Sequence, residues 1–232
     1  MSSDVLSVAL RLEVGAFELD VAFEVPPGIT VLFGPSGSGK SSTLAAIAGL
    51  ATPSRGRIAL GATRWFDSEQ GVDMTPESRR LSLVFQSLAL FPHLTAEANV
   101  EYGIDRALPR KERRARARAM LERMRVGHVA KRLPRTFSGG EAQRVALARA
   151  FAREPRIVLL DEAFSALDRE LRYALGADVR ALVTELSIPA LVVTHHRQEA
   201  RTLGERAVKL RDGRVEAQGP VRDVVPAPTR ED

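Results

Sequence analysis

The sequence predicts an α/β fold: a mainly parallel sheet with an antiparallel β subdomain and an inserted helical subdomain. Three observations predict it. Residues 29–33, 81–85, 157–160 and 190–193 are short, continuous apolar runs, as expected of strands buried on both faces. Helical stretches stand between them, beginning at residues 40–48 and including 141–151, the alternation that builds a sheet covered on both sides. Residues 87–154 carry no strong strand signal and are mostly helical in pattern, so they interrupt the strand series as a separate lobe.

The remaining elements follow from local pattern. Residues 5–12 and 17–25 read as antiparallel strands, with 57–60 joining them. Residues 207–210 and 214–217 flank Asp212-Gly213, a pair suited to a tight primed turn, and predict a hairpin. The expected organisation is one domain over 1–224, with an α/β core at 1–86 and 155–224 and a helical lobe at 87–154. The tail, 225–232, is rich in Pro, Arg and acid from Pro226 and is expected to be disordered.

At 232 residues, 44% hydrophobic and 27% charged, the chain has the composition of a soluble globular protein with a sizeable core. The absence of cysteine excludes disulfides and thiolate metal sites. The first fifteen residues lack the basic start and apolar stretch of a secretion signal. No run approaches the ~20 apolar residues that span a bilayer, so work at a membrane requires other chains. The net charge of +5 raises nucleic acid or an anionic surface as partners. Much of the excess lies in 106–125, where Arg106, Arg110, Lys111, Arg113, Arg114, Arg116, Arg118, Arg123 and Arg125 face only Glu112 and Glu122. This stretch reads as a solvated helix with Ala115, Ala117, Met120, Leu121 and Met124 turned partly inward. No aromatic residue is interleaved to stack bases, so nucleic acid is not expected.

Gly34-Pro35-Ser36-Gly37-Ser38-Gly39-Lys40-Ser41, followed by Ser42, satisfies G-x-x-x-x-G-K-[ST] between a strand and a helix. The glycines let successive backbone N–H groups converge on phosphates, and the helix adds its positive end. Lys40 is expected to reach the β/γ-phosphates and the Ser41 hydroxyl to hold Mg²⁺. The chain is therefore expected to have a P-loop NTPase core and to bind a nucleoside triphosphate.

The apolar run at 157–160 ends in Asp161-Glu162. The carboxyl edge of a parallel sheet is where ligands bind. Asp161 is the candidate metal residue, and Glu162 the candidate base for the attacking water. Ser138-Gly139-Gly140-Glu141 opens the later helix as a capping box, Ser138 at the cap and Glu141 bonding back. The glycine pair also leaves bare amides at a positive helix end, an anion site.

Phe137-Ser138-Gly139-Gly140-Glu141 resembles the signature of the ABC ATPases, commonly Leu-Ser-Gly-Gly-Gln. Ser165-Ala166-Leu167-Asp168 resembles that family's D-loop, Gln86 its Q-loop and Val193-Thr194-His195 its switch histidine, all in family order across about residues 5–220. The resemblance implies ATP and Mg²⁺ as ligands. It also implies a head-to-tail homodimer in which each ATP lies between one cradle and the other chain's Ser138, Gly139, Gly140 and Glu141, with Asp168 nearby. Gln86 would sense Mg²⁺ and a membrane subunit, and His195 the γ-phosphate. His196 is the rival to His195, which strand register and family pattern favour; His93 reads as surface or partner-facing. Glu141 departs from the common Gln and sets a carboxylate near the γ-phosphate unless it folds back to cap the helix, which is the expectation here. Ala163 stands where the family often has Pro. Phe17 is the nearest candidate for stacking adenine, with a core role equally open.

Residues 86–95 and 99–103 resemble importers of small solutes and ions. Phe17-Glu18-Leu19-Asp20, Gly28-Ile29-Thr30 and Glu141 look most like molybdate-type importers, with sulfate, iron and polyamine importers still open. The implied partners are separate permease subunits and a solute-binding protein, and the implied place is the inner face of the cell membrane, peripheral and cytoplasmic. Such subunits often carry a C-terminal regulatory β-domain; none is expected here, nor regulation by intracellular substrate. The alternative is a soluble ABC ATPase acting on nucleic acid or the ribosome. The DNA-repair kind inserts long coiled coils between cradle and signature, whereas here only residues 41–137 intervene; the ribosomal kind usually has two cassettes. A non-hydrolysing assembly module fits poorly with Glu162 and His195.

Overall fold

Strand pairing lays out the molecule, a computed structural model that describes residues 4–164 and 167–227. β1 (Leu6–Val14) and β2 (Phe17–Val25) bury every second residue and pair antiparallel around Gly15. β3 (Gly28–Phe33) leads into the cradle and α1 (Lys40–Ala48). β4 (Arg55–Leu60) joins the free side of β1, as expected. β5 (Thr63–Asp67) and β6 (Val72–Asp73) then extend the sheet and were not foreseen. β6 is two residues long, and the pairing of β4 with β5 shifts register between Ile58 and Ala59, so neither presents a clean period of two.

The other half is parallel. β7 (Leu81–Val84), β8 (Ile157–Asp161) and β9 (Pro189–Thr194) lie in the order β3-β9-β8-β7, each pair parallel. Four strand ends therefore share one edge. β10 (Arg206–Arg211) runs parallel to β3 and turns back as β11 (Arg214–Pro220), which reaches β2 through Arg214 opposite Asp20. The result is one sheet of eleven strands. The parallel strands are buried on both faces. Val31, Phe33, Val158, Leu160 and Val192 face the helical side, whereas Leu32, Leu159, Leu191 and Val193 pack with Leu44 and Ile47 of α1.

No strand occurs among the described residues of 87–154, where α2 (Ala96–Gly103), α3 (Arg110–Arg123) and α4 (Gly139–Ala152) form the expected lobe. α5 (Arg169–Leu186) and α6 (Arg197–Leu203) complete the helical side, and α7 (Val221–Val224) closes the fold. The basic stretch is largely neutralised. Arg118 meets Glu97 at 2.9 Å, Arg116 meets Glu154 at 2.7 Å, Arg113 meets Glu101 at 3.3 Å, and Arg125 meets Asp178 at 3.0 Å. Arg123 pairs with Glu185. These arginines hold the lobe to itself and to α5. Ala117, Leu121 and Met124, spaced by four and three, are buried as expected. Ala115 is exposed instead, because two residues of helix turn it about 200° from Ala117.

The tail expectation also needs correction at its start. Val225 is buried, its N–H donates to Val221 O at 2.9 Å, and its carbonyl accepts from Arg201 Nη1 at 2.6 Å. Residues 228–232 lie outside the described residues.

Arg79, 1% exposed, fixes the far end of the cradle helix. Its Nη1 donates to the carbonyls of Ala46 (2.9 Å) and Ile47 (2.7 Å) at the last turn of α1, and its Nε to Met74 O at 2.9 Å. The last carbonyls of a helix lack the N–H groups of a following turn, and Ala46 O has only the Gly49 N–H at 3.1 Å besides Arg79. Arg79→Ala is expected to cost about 3 kcal/mol by removing these buried bonds together. A thermal melt should show a clearly lower Tm, and an unchanged Tm contradicts this role.

Candidate functional site: a phosphate cradle and a water-activating pair

The cradle begins where β3 runs out at Gly34. A side chain there would strike the Leu210 carbonyl of β10. Gly39, at φ 99°, caps α1 in the left-handed region, with no side chain bonded to the first-turn amides. A Cβ at Gly39 would sit 2.7 Å from Leu19 Cδ1. The helix therefore opens with free N–H groups toward the loop, an arrangement that takes phosphate.

Lys40 is 7% exposed. Its Nζ donates to Gly34 O at 2.9 Å and Pro35 O at 2.8 Å, drawing the loop around the ammonium. Burial lowers its pKa, and the negative charges of Glu162 and Asp161 oppose that shift. The Ser38 hydroxyl is buried with no hydrogen-bond partner, a donor directed into the cradle wall. Buried orphans of this kind are costly unless a ligand or water takes them up.

Ser41 Oγ donates to Asp161 Oδ1 at 3.4 Å. Burial raises the Asp161 carboxyl, Ser41 pulls it back down, and Glu162 adds to the rise. One hydroxyl and one carboxylate, both hard oxygens, fit Mg²⁺, which takes one or two carboxylates and leaves its other positions to water and phosphate. No cluster of three or more His, Cys, Asp or Glu suited to a metal occurs among the described residues.

Glu162 follows β8 at φ 46°, a left-handed conformation unusual outside glycine. Its N–H still donates to Val193 O at 3.1 Å, extending the β8–β9 pairing by one bond. The side chain then meets His195, with Oε1 3.0 Å from Nδ1. His195 thus meets the Glu162 carboxylate; the His196 N–H donates to Thr194 Oγ1 at 3.1 Å, and His196 precedes α6 as its cap. Gln86 stands exposed just past β7, so Gly34, Gln86, Asp161 and His195 all lie at the shared strand edge. His93 is exposed, as expected. Phe17 is half-buried, with its ring beside Gly39 and Gly213.

The Ser138 helix start lies in the other lobe. No hydrogen bond or ion pair joins it to the cradle among the described residues. Both capping-box bonds form: Ser138 N–H donates to Glu141 Oε2 at 2.7 Å, and Glu141 N–H to Ser138 Oγ at 3.2 Å. Glu141 folds back as expected. Two partners absent from the sequence reading, His128 at 3.0 Å and Arg132 at 3.2 Å, hold its Oε1. The Ser138 amide first, then His128 and Arg132, lower the Glu141 carboxyl from 4.5 to about 2 against the effect of burial. Gly139 has open space where a Cβ would stand. At the other end of the same helix, Arg149 donates to the carbonyls of Leu88 (2.9 Å) and Ala89 (2.8 Å), tying α4 to the loop after Gln86. Asp168 caps α5 by accepting from Leu171 N at 2.9 Å; Ser165 and Ala166 lie outside the described residues.

Fold and site together define a P-loop nucleotide-binding cassette. The chain belongs to the ABC transporter family, whose model matches residues 19–165. Among curated relatives, it is 39% identical over 223 residues to the molybdenum import ATP-binding protein ModC of Paramagnetospirillum magneticum, covering 96% of this chain and 61% of that protein. It is 40% identical to ModC of Pseudomonas syringae (95% and 61%) and 41% identical to the Fe(3+) ions import ATP-binding protein FbpC 1 of Rhizobium meliloti (92% and 60%). The chain thus spans about three fifths of the length of these relatives. Among solved structures, it resembles the dimeric ABC transporter cassette MJ0796 at TM-score 0.79 and 31% identity, over 94% of this chain and 99% of that one. The post-hydrolysis dimer of MJ0796 bound to ADP and Pi gives 0.78 and 32%, with the same coverage.

The Glu141 geometry carries a sign for acid stability. A carboxyl depressed in the folded state stabilises the fold fully above its ordinary 4.5, and that stabilisation is lost as pH falls toward about 2. Urea midpoints measured between those values should fall less steeply for Glu141→Gln than for the unaltered chain. Its ATPase rate at neutral pH should stay within about several-fold, since Gln can accept the same Ser138 bond. Parallel acid limbs, or a hundredfold change in rate, contradict the capping role.

Proposed function

We propose that this chain is the ATP-hydrolysing subunit of an ABC importer, dimerising on ATP to drive uptake of a small inorganic anion, molybdate or one like it. The observation that carries the reading is the Glu162–His195 contact of 3.0 Å at the strand edge that also presents Lys40 and Asp161. A carboxylate in that place can take the proton of a water attacking the γ-phosphate, and a neighbouring imidazole can bond the phosphoryl oxygens. Lys40 and the α1 amides bind and orient the phosphates. Ser41 and Asp161 would hold Mg²⁺, with Gln86 completing the set; when bound, the ion would supply neutralisation of phosphate charge.

In one chain the site has cradle and base but no cover. The Ser138–Glu141 helix start, with Gly139 open and the carboxylate retracted, suits the γ-phosphate of a second copy, and Asp168 would approach the same junction. MJ0796, an ABC transporter cassette, is a dimer in its solved structures, which supports pairing of two copies here.

Transport enters through the relatives, several of which are named molybdenum import proteins and one an iron import protein. No helix among the described residues is long and apolar enough to cross a membrane, so separate permease subunits would supply the passage and a solute-binding protein the cargo. The cassette would then sit at the inner, cytoplasmic face. A groove of about 920 Å³ beside the Gln86 loop, lined in part by Leu83, Phe91, Tyr102 and Arg149, offers a seat for a permease segment. The soluble nucleic-acid alternative is disfavoured because Arg113, Arg114, Arg116, Arg118 and Arg123 of α3 are engaged with carboxylates.

Glu162→Gln should bind Mg-ATP with near-normal affinity and hydrolyse it about 10²-fold or more slowly. Single-turnover assays with labelled ATP make the comparison, and near-normal turnover removes Glu162 as the base.

A further inference from the structure

We propose that Glu199 and Arg172 bind one ordered water molecule in a cavity between α5 and α6, and that this bridged pair positions His195 for the γ-phosphate. The inference rests on the reading of His195 given above. Glu199 is 4% exposed, yet neither of its carboxylate oxygens makes a well-formed hydrogen bond, and the buried Nε of Arg172 has none. Three orphaned polar atoms in one place are costly, at about 1–3 kcal/mol each or more when charged. Between the two helices lies a small, partly open space of about 20 Å³ walled by Arg172, Tyr173, Gln198, Glu199 and Thr202. A water needs at least about 10–15 Å³ and two to four polar partners. The space fits one molecule, and its walls supply the partners.

What the pair joins gives it a role. Glu199 lies in the first turn of α6, whose cap His196 directly follows His195, so the helix start and the histidine-bearing segment are positioned together. Arg172 also donates Nη2 to Leu167 O at 2.9 Å, one residue before the Asp168 cap of α5. A water between them ties the histidine-bearing segment to the segment that would meet a second copy of the chain. Burial raises the Glu199 carboxyl to about 7, against the pull of Arg172, the Thr194 hydroxyl and His195, with Glu162 adding to the rise. Arg169 of α5 also borders the cavity, β3 contributes no titratable group, and Arg222 and Asp223 of α7 are exposed. Charging of Glu199 therefore falls near neutrality, where it would strengthen the water bridge and set a negative charge near His195.

Two measurements test this. A high-resolution crystal structure of the whole chain should show an ordered water within hydrogen-bond distance of both Glu199 and Arg172; a dry cavity, or a direct ion pair without water, overturns the bridge. In steady-state kinetics, Glu199→Gln should keep its affinity for Mg-ATP and lose about tenfold in kcat. The unaltered chain should show an ionisation in kcat between about pH 6 and 8 that Glu199→Gln lacks. An unchanged kcat and pH profile overturns the positioning role. His195→Ala, measured alongside, separates the two levels. If it loses turnover while Glu199→Gln does not, only this inference fails; if it too is unaffected, the assignment of His195 fails and takes the inference with it.

Discussion

A single buried cation organises this site. Lys40 has lost most of its water, and the structure replaces that hydration with the carbonyls of Gly34 and Pro35 and with the nearby charges of Asp161 and Glu162. Such an arrangement stands only if the loop after β3 and the acidic end of β8 reach the same point. The parallel order β3-β9-β8-β7 delivers them there, with the His195 segment between. The groups proposed to meet the triphosphate are thus gathered at one edge, and Lys40 would exchange its loop carbonyls for phosphate oxygens.

The second half of the chemistry is built into the other lobe and kept apart from the first. α4 presents glycine amides at its start, and its one carboxylate there is drawn back by Ser138, His128 and Arg132. The far end of α4 grips the loop after Gln86 through Arg149. One helix therefore connects the surface proposed for a second copy with the loop beside the groove proposed for a permease. The arginine pairs of α3 keep that lobe compact and leave little of its positive charge unmatched.

Much of this was legible in the sequence because periodic burial and fixed spacing write themselves into residue order. The four buried strands, the cradle, the Asp161-Glu162 step and the retraction of Glu141 all belong to that class. What escaped depended on contacts between distant segments. Short β5 and β6 are strands only because β4 is beside them. Arg79, Arg149, His128 and Arg132 act on partners 9 to 60 residues away, which composition does not reveal. Ala115 was misplaced because alanine marks either face of a helix, and Val225 because a Pro-rich tail hid the last residue of the core. Glu199 left only its place four residues after His195, too common a spacing to single out.

The central claim is that two copies, each lacking what the other provides, close on ATP. Sedimentation velocity of the chain carrying Glu162→Gln, with and without Mg-ATP, tests it most directly. The account predicts a monomer without nucleotide and a dimer with it. It also predicts that adding Gly139→Arg, in the open space at the α4 start, leaves nucleotide binding intact and abolishes the dimer. A chain that binds Mg-ATP tightly and remains monomeric at every concentration contradicts the shared site.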